Sequence, residues 1–268
     1  EELSGFRETL LDLCMYVDLS NYETIDMCGT GGDNKNTFNI STLASFVVAG
    51  TGIKVAKHGN YAVSSGCGSS NVLEKLGYKF KTDVELIKEE LEKANICFLH
   101  APLFHPAMKN VGPVRRALGI KTFFNMLGPL INPSMARNQI VGVFNLELAR
   151  LYKYLNQKID RKFIIIHSVD GYDEISLTSP CKIISNTEDK LIYPSDFGFD
   201  YVKPQELMTG KNIDEAVQTF MSIISGKGTQ SQNNVVIANA SMGIKCMKPE
   251  LKLSQCVEMA SDSLFNKD

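Results

Sequence analysis

Short apolar runs alternate with segments of helical periodicity along most of the chain. The runs predict strands at 24–28, 53–57, 96–99, 139–143 and 162–168, and a hairpin of short strands over 183–194. Helical spacing predicts helices at 1–20, 43–49, 72–76, 82–93, 146–155, 214–225, 233–245 and 254–265, and a further helix opening at His105–Lys109. If the first strands are parallel neighbours, the loops that follow them open at one edge of a sheet.

The first of these loops carries three glycines in four positions, Gly29, Gly31 and Gly32, followed by Asp33. Asn39, Ser41 and Thr42 then stand before the apolar helix as candidate caps. A strand, a glycine turn and a helix N-terminus together form an anion site, because free N–H groups and the helix dipole point at one place. The spacing matches neither of the common nucleotide motifs, and a tight turn without a ligand is the alternative.

A second polar, glycine-punctuated loop follows the next strand and spans residues 58–71. Its last serines are placed to cap the helix at 72–76. Two such loops on neighbouring strands indicate an anion site more specifically than one. Lys57 adds a cation beside them, although taken alone it is more typical of a solvated lysine at a strand end. His58 taken alone is typical of a turn histidine bonded to backbone.

A third polar segment, Asp170–Gly171–Tyr172–Asp173–Glu174, follows the most apolar strand. Three carboxylates in five residues suit a hard cation held by oxygen ligands. A β-turn with solvated acids is the alternative, and in isolation it is the more common one.

Composition narrows the class of protein. The chain has 268 residues, 44% of them hydrophobic, and a net charge of −2 from 28 basic and 30 acidic residues. This balance indicates neither nucleic-acid nor membrane partners. The seven cysteines form no Cys-x-x-Cys pair, which favours reduced thiols and a cytoplasmic location. Because the first helical pattern begins without a cap, we expect further residues before Glu1.

Taken together, these segments resemble the anthranilate phosphoribosyltransferase family. The resemblance covers nearly the whole chain, in the family's order, and departs from it at Gly66–Cys67. It rests on Gly29-Thr30-Gly31-Gly32-Asp33, Asn39-Ile40-Ser41-Thr42, Lys57-His58-Gly59-Asn60, Ser64-Ser65, Gly68-Ser69-Ser70, His105-Pro106-Ala107-Met108 with Arg115, and Asp173-Glu174.

The resemblance implies an α/β fold, with a large α/β domain whose central sheet is mostly parallel and flanked by helices. It also implies a small all-helical domain, formed by residues 1–20 and 103–127 and truncated at its N-terminus, beside the large domain at 21–102 and 128–268. A homodimer joined through the helical domains is a further expectation.

The resemblance also implies the reaction: anthranilate attacks phosphoribosyl pyrophosphate, releasing pyrophosphate in a step of tryptophan synthesis. The implied magnesium ligands are Ser41, Asp173 and Glu174, and the implied anthranilate contacts are Gly29, Asn60 and Arg115. No nucleophilic side chain is required, because an aryl amine attacks directly once it is held in line. The implied donor-binding residues are Gly29, Gly32, Asp33, Thr37, Asn39, Ile40, Ser41, Thr42, Lys57, His58, Gly59, Asn60, Tyr61, Ala62, Val63, Ser64, Ser65 and Ser69.

Two other functions stay open on the sequence. One is a pyrimidine-nucleoside phosphorylase or a related transferase with another acceptor, against which the Lys-His-Gly-Asn segment and the His105–Arg115 segment argue. The other is a non-catalytic nucleotide-binding protein, against which the acidic pair at 173 and 174 argues.

Overall fold

The computed structural model describes residues 1–61, 67–109, 111, 123–159, 161–210 and 212–266. Its centre is one sheet of seven strands in the order β3-β2-β1-β4-β5-β6-β7. The strands are β1 Thr24–Gly29, β2 Lys54–Gly59, β3 Ile96–His100, β4 Asn138–Gly142, β5 Lys162–Ser168, β6 Cys181–Ser185 and β7 Asp189–Ile192. The first five run parallel, and the hairpin β6–β7 continues the sheet antiparallel to β5. The predicted mostly parallel α/β fold is confirmed.

Helices cover both faces of this sheet. One face carries α2 Ile40–Gly50, α8 Ile213–Ile224, α9 Gln230–Met247 and α10 Leu253–Phe265, whose apolar sides form the largest core with β1 and β5. The other face carries α1 Glu2–Asp12, α4 Val84–Ala94, α6 Phe124–Leu127 and α7 Leu146–Gln157, over two smaller cores. Because the central strands are buried on both faces of the sheet, their sequences are continuous apolar runs. Short helices α3 Ser69–Lys75 and α5 Ala101–Phe104 complete the described helices, with 3₁₀ turns at Gly128–Leu130, Pro194–Phe197 and Pro204–Leu207.

The predicted helix over 1–20 is too long. It ends at Asp12, and the segment that follows is irregular. Val17 and Leu19, which extended the apolar pattern, are buried as an extended segment against α4 and β3. The Val17 N–H donates to the Pro133 carbonyl, 3.1 Å away. Contacts with distant parts of the chain, and not a helix, therefore determine where these side chains are buried. The division into a helical domain (1–20 and 103–127) and a large domain stays a prediction.

Candidate functional site

Three loops meet at the carboxyl edge of the parallel strands. They follow β1, β2 and β5, and they are the three polar segments that the sequence singles out. Ligands of open α/β sheets bind at this edge because the strand ends and helix N-termini converge there. The expectation that the loops share one edge is confirmed.

Four residues of the loop after β1 have left-handed backbone. Gly31 and Gly32 have φ of 67° and 79°, and Asn34 and Asn36 have φ of 59° and 51°. Left-handed residues next to ordinary ones curve the backbone into a concave surface of the kind that binds anions. At its far end the Phe38 N–H donates to the Leu207 carbonyl at 3.1 Å. The loop is therefore shaped by its glycines and asparagines and anchored at both ends.

The acidic turn after β5 is docked into the end of β1. The Gly31 N–H donates to Asp173 Oδ2 at 2.7 Å. A Cβ at Gly29 would lie 2.4 Å from Asp173 Oδ2, and a Cβ at Gly142 would lie 1.5 Å from the Asp173 carbonyl oxygen. Both glycines are thus needed for the close approach of this turn, because any larger residue would overlap Asp173.

The carboxylate of Glu174, from the turn after β5, lies at the N-terminus of α2. The Ser41 N–H donates to Glu174 Oε1 at 3.2 Å, where the helix dipole also favours a negative charge. Asn39 does not cap this helix, contrary to expectation, because its side-chain amide donates to the Cys67 carbonyl of the second loop at 3.2 Å. Helix α3 likewise begins at Ser69 after Gly68, so its serines lie inside the first turn and do not precede it.

Asp170 has a different role from the other two acids of this turn. Its carboxylate accepts hydrogen bonds from the Thr178 and Ser179 hydroxyls at 2.6 and 2.7 Å. It closes the turn locally, whereas Asp173 and Glu174 contact β1 and α2. The interpretation of this segment as solvated acids holds for Asp170 alone, since Asp173 is only 7% exposed.

The carboxylates of Asp33 and Glu174 lie near enough to Asp173 for their charges to act on its pKa. Burial, and then the charges of Glu174 and Asp33, raise the pKa of Asp173 well above its ordinary range. Burial also raises the pKa of Glu174 to about 7, opposed by the Lys57 charge and by the Ser41 hydrogen bonds. Mutual repulsion of buried acids is relieved by a bound cation.

The chemistry of these ligands fits Mg²⁺. Asp33 Oδ2 is buried and has no hydrogen-bond partner among the described residues. Across those residues, no three His, Cys, Asp or Glu side chains stand close enough to hold a metal by themselves. This fits an ion bound through one or two carboxylates, water and substrate phosphate, which is the usual mode for Mg²⁺.

Lys57 is buried at 2% exposure, so its interpretation as a solvated strand-end lysine is wrong. Strand β2 continues to Gly59 and carries Lys57 into the sheet, where its ammonium donates to the Met27 carbonyl. Burial lowers the pKa of Lys57, and acidic neighbours that include Asp26 and Glu174 oppose this shift. Lys57 therefore lies within the sheet and near the acidic turn, close enough to Glu174 for the two charges to interact.

The described part of the second loop is organised around Asn60. Its backbone carbonyl accepts hydrogen bonds from the Ser69 hydroxyl and the Ser70 N–H, both at 3.3 Å. Its side-chain oxygen accepts from the Tyr61 N–H at 2.8 Å. Asn60, Gly59 and Ser69 are thus brought together as predicted members of one loop. Ala62, Val63, Ser64 and Ser65, and the predicted anthranilate contact Arg115, lie outside the described residues.

Two buried histidines face each other beside this loop. The rings of His58 and His105 meet edge to face, with their centroids 5.2 Å apart. His58 Nδ1 lies 3.0 Å from the Gly128 carbonyl, which can only accept, so Nδ1 carries the proton. This confirms the interpretation of His58 as bonded to backbone. Burial lowers the pKa of both histidines to about 4.

Sequence reasoning assigned no role to Gly142 or Asp26. Gly142 is the last residue of β4, whose sequence is that of an ordinary apolar strand. Its close approach to Asp173 is visible only in three dimensions. A lone aspartate inside a predicted buried strand is the one signal that could have indicated Asp26.

Comparison with known proteins agrees with this arrangement. Residues 21–266 match the model of the glycosyl transferase family, a/b domain. The anthranilate phosphoribosyltransferase of Flavobacterium johnsoniae is 60% identical over 270 residues, covering 99% of this chain and 80% of the relative. That of Bacteroides thetaiotaomicron is 48% identical, with 98% and 80% coverage.

Solved structures give the same result. The crystal structure of anthranilate phosphoribosyltransferase from Thermus thermophilus superposes with a TM-score of 0.91 at 30% identity, covering 98% of this chain and 79% of that one. The enzyme from Saccharomyces cerevisiae, in complex with phosphoribosyl pyrophosphate and Mg, superposes with a TM-score of 0.90 at 27% identity, with 98% and 75% coverage. This chain belongs to the anthranilate phosphoribosyltransferase family.

Proposed function

We propose that this chain catalyses the reaction for which its family is named. The amine of anthranilate displaces pyrophosphate from phosphoribosyl pyrophosphate and forms a bond to C1 of the ribose, giving N-(5-phosphoribosyl)anthranilate. The observation that carries the proposal is the meeting of the glycine loop, the Lys57 ammonium and the Asp173–Glu174 turn at one sheet edge. A polyanionic donor needs such a combination of N–H donors, a cation and metal ligands.

The loop after β1 and the loop after β2 are the parts that would hold the donor. The curved backbone at Gly31 and Gly32 forms the concave surface, and Lys57 supplies positive charge from the neighbouring strand β2. Fixed donors of this kind stabilise the charge that develops on the departing pyrophosphate, because they need no reorganisation during the reaction.

Asp173, Glu174 and the Ser41 hydroxyl are the proposed Mg²⁺ ligands, and Asp33 lies next to them. Mg²⁺, when bound, would neutralise part of the pyrophosphate charge. The chain's own contribution is to hold the two acids in place through the Gly31 and Ser41 N–H groups, whose hydrogen bonds favour the ionised carboxylates against the effect of burial.

Gly29, Asn60 and Arg115 are the proposed contacts of anthranilate. Asn60 directly follows β2, and its backbone carbonyl is fixed by hydrogen bonds from Ser69 and Ser70. A guanidinium fork matches a carboxylate, which is the reason to assign Arg115 to the acid group of the substrate. Holding both substrates in line is the main catalytic task, since the aryl amine needs no activation by a base.

The assay combines the protein with anthranilate, phosphoribosyl pyrophosphate and Mg²⁺ and follows the loss of anthranilate fluorescence. We expect turnover that depends on all three components. Turnover with inorganic phosphate and a pyrimidine nucleoside instead would support a phosphorylase. Donor binding without turnover of any acceptor would support a non-catalytic nucleotide-binding protein.

The homodimer and the cytoplasmic location are part of the same proposal. Both are supported by family membership, and the composition agrees with a reduced compartment. No described helix is long and apolar enough to cross a membrane. Analytical ultracentrifugation of the protein at several concentrations would test the dimer.

A further inference from the structure

The backbone ladder between β1 and β2 stops halfway along the two strands. It pairs Thr24–Ile25 with Lys54–Val55 only. On their other sides both strands stay paired to the end, β1 with β4 through Gly29 and β2 with β3 through Gly59. The carboxyl halves of β1 and β2 therefore lack backbone rungs between them, at the point where each strand leads into a proposed donor loop.

Two side chains bridge this gap in place of backbone rungs. The His58 N–H donates to Asp26 Oδ1 at 3.1 Å. The Lys57 ammonium donates to the Met27 carbonyl. The spacing of the two strand ends thus depends on side chains, and a change in either one moves the start of the second loop relative to the first.

Asp26 is completely buried, and several donors converge on its carboxylate. Gln139 Nε2 lies 3.4 Å from Oδ2, and Gln139 Oε1 in turn accepts from Arg161 Nη1 at 2.9 Å. Burial raises the pKa of Asp26, and the Lys57 charge, the Asn132 amide, the His58 N–H and the Arg161 charge oppose this shift by favouring the ionised carboxylate. An ionised carboxylate accepts at both oxygens, whereas an amide would turn an NH₂ group toward these donors.

We propose that Asp26 is a positioning residue for the phosphoribosyl donor. It does not contact the donor. Its carboxylate fixes the His58 backbone and so sets the distance between the glycine loop after β1 and the His58–Asn60 segment. This inference rests on the proposed function, because it assumes that the two loops hold one ligand between them.

A purely structural role for Asp26 makes a different prediction. A buried hydrogen bond that only stabilises the fold lowers the melting temperature without altering ligand affinity. Asn138 provides the matched control: it is 2% exposed, and its Nδ2 donates to the Thr24 carbonyl at 3.0 Å, at the opposite end of β1. Asn138→Ala removes a buried link of β1 without touching the gap.

The experiment measures Mg²⁺–phosphoribosyl pyrophosphate binding by calorimetry, and KM and kcat at steady state, for wild type, D26N, D26A and N138A. For both Asp26 variants we expect the donor Kd and KM to rise about tenfold or more, with kcat at saturation and KM for anthranilate changed less than about threefold. N138A should lower the melting temperature and leave the donor Kd within about threefold.

Wild-type donor affinity in folded D26N and D26A would overturn the proposal, as would an equal loss in N138A. Absence of donor binding by the wild-type protein would instead overturn the proposed function. If the Asp26 variants do not fold, hydrogen exchange of the ligand-free wild type still decides. The His58 amide should be strongly protected, and rapid exchange of this amide would remove the fixed rung on which the proposal depends.

Discussion

The carboxylate of Asp173 fills the space beside Gly29. A Cβ built on Gly29 would lie 2.4 Å from Asp173 Oδ2 and 3.0 Å from its Cγ, and the same oxygen accepts from the Gly31 N–H. The turn after β5 can therefore pack this closely against the end of β1 only because residue 29 is a glycine. Gly29 thus helps to place Asp173, one of the proposed metal ligands.

Gly29→Ala should displace Asp173 from this position. The added methyl group overlaps a short side chain that cannot swing far, which typically costs about 1–3 kcal/mol. We expect a folded protein whose affinity for Mg²⁺–donor falls about tenfold or more. Gly5→Ala in α1 is the control, because nothing lies within 4 Å of a Cβ there. Unchanged donor affinity in Gly29→Ala, measured by calorimetry, would argue against this role of Asp173.

His58 should make stability depend on pH in a defined window. Its pKa of about 4 in the folded protein lies below the ordinary 6.5, so the unfolded chain binds more protons between these values. Stability from this group is therefore complete above about pH 6.5 and is lost as pH falls toward about 4. Acids with raised pKa values, such as Glu174, oppose this trend, so a difference measurement is needed.

His58→Asn keeps a donor near the Gly128 carbonyl but cannot take up a proton. The free energy of unfolding of wild type relative to this variant should fall by about 2 kcal/mol from about pH 7 to about pH 5. Urea denaturation at both pH values measures it. A difference that does not change with pH would mean that His58 titrates normally in the folded state.

Elements with a strong local signal could be predicted from the sequence. The apolar runs that became β1 to β5 are buried on both faces, so their assignment needed no tertiary information. The glycine loops and the acidic turn were also recognisable, because each directly follows a predicted strand and the three occur in one chain. The overlong first helix shows the limit, because Val17 and Leu19 are buried by contacts with α4 and β3 that local periodicity does not encode.

Relations between distant residues could not be predicted in this way. Lys57 has the sequence context of a solvated lysine, and only the continuation of β2 to Gly59 buries it. Asn39 has the position of a helix cap, but the second loop lies within reach and takes its hydrogen bond. Gly142 became important only because Asp173 lies against it. Each case depends on which segments the fold brings together.

Arg115→Ala should raise KM for anthranilate far more than KM for the donor. The reason is the charge-assisted pair expected between a guanidinium and the substrate carboxylate, whose loss typically costs about 1.5–3 kcal/mol. That corresponds to roughly tenfold to over a hundredfold in KM. Arg116→Ala is the matched control, because it removes the neighbouring cation in the sequence and leaves Arg115 in place. Steady-state kinetics with an unchanged KM for anthranilate would remove Arg115 from the site.

The acidic pair gives the sharpest prediction. Asp173→Asn with Glu174→Gln removes two charges but keeps side-chain oxygens that can accept from the Gly31 and Ser41 N–H groups. The fold should therefore survive, and relief of the repulsion among the three acids should offset lost contacts. Most of the Mg²⁺-dependent gain in donor affinity should disappear, and by linkage the donor should no longer tighten Mg²⁺ binding.

The same pair should make metal binding depend on pH. Because the pKa of Glu174 is about 7 without metal, protons compete with Mg²⁺ as pH falls through that value, and Mg²⁺–donor affinity should rise from about pH 6 to about pH 8. The donor's phosphates titrate too, so the informative quantity is the difference between wild type and the double variant. Asp170→Asn is the control, since that carboxylate is bonded to the Thr178 and Ser179 hydroxyls within its own turn. Titrations of turnover against Mg²⁺ that superimpose for wild type and the double variant would place the metal elsewhere.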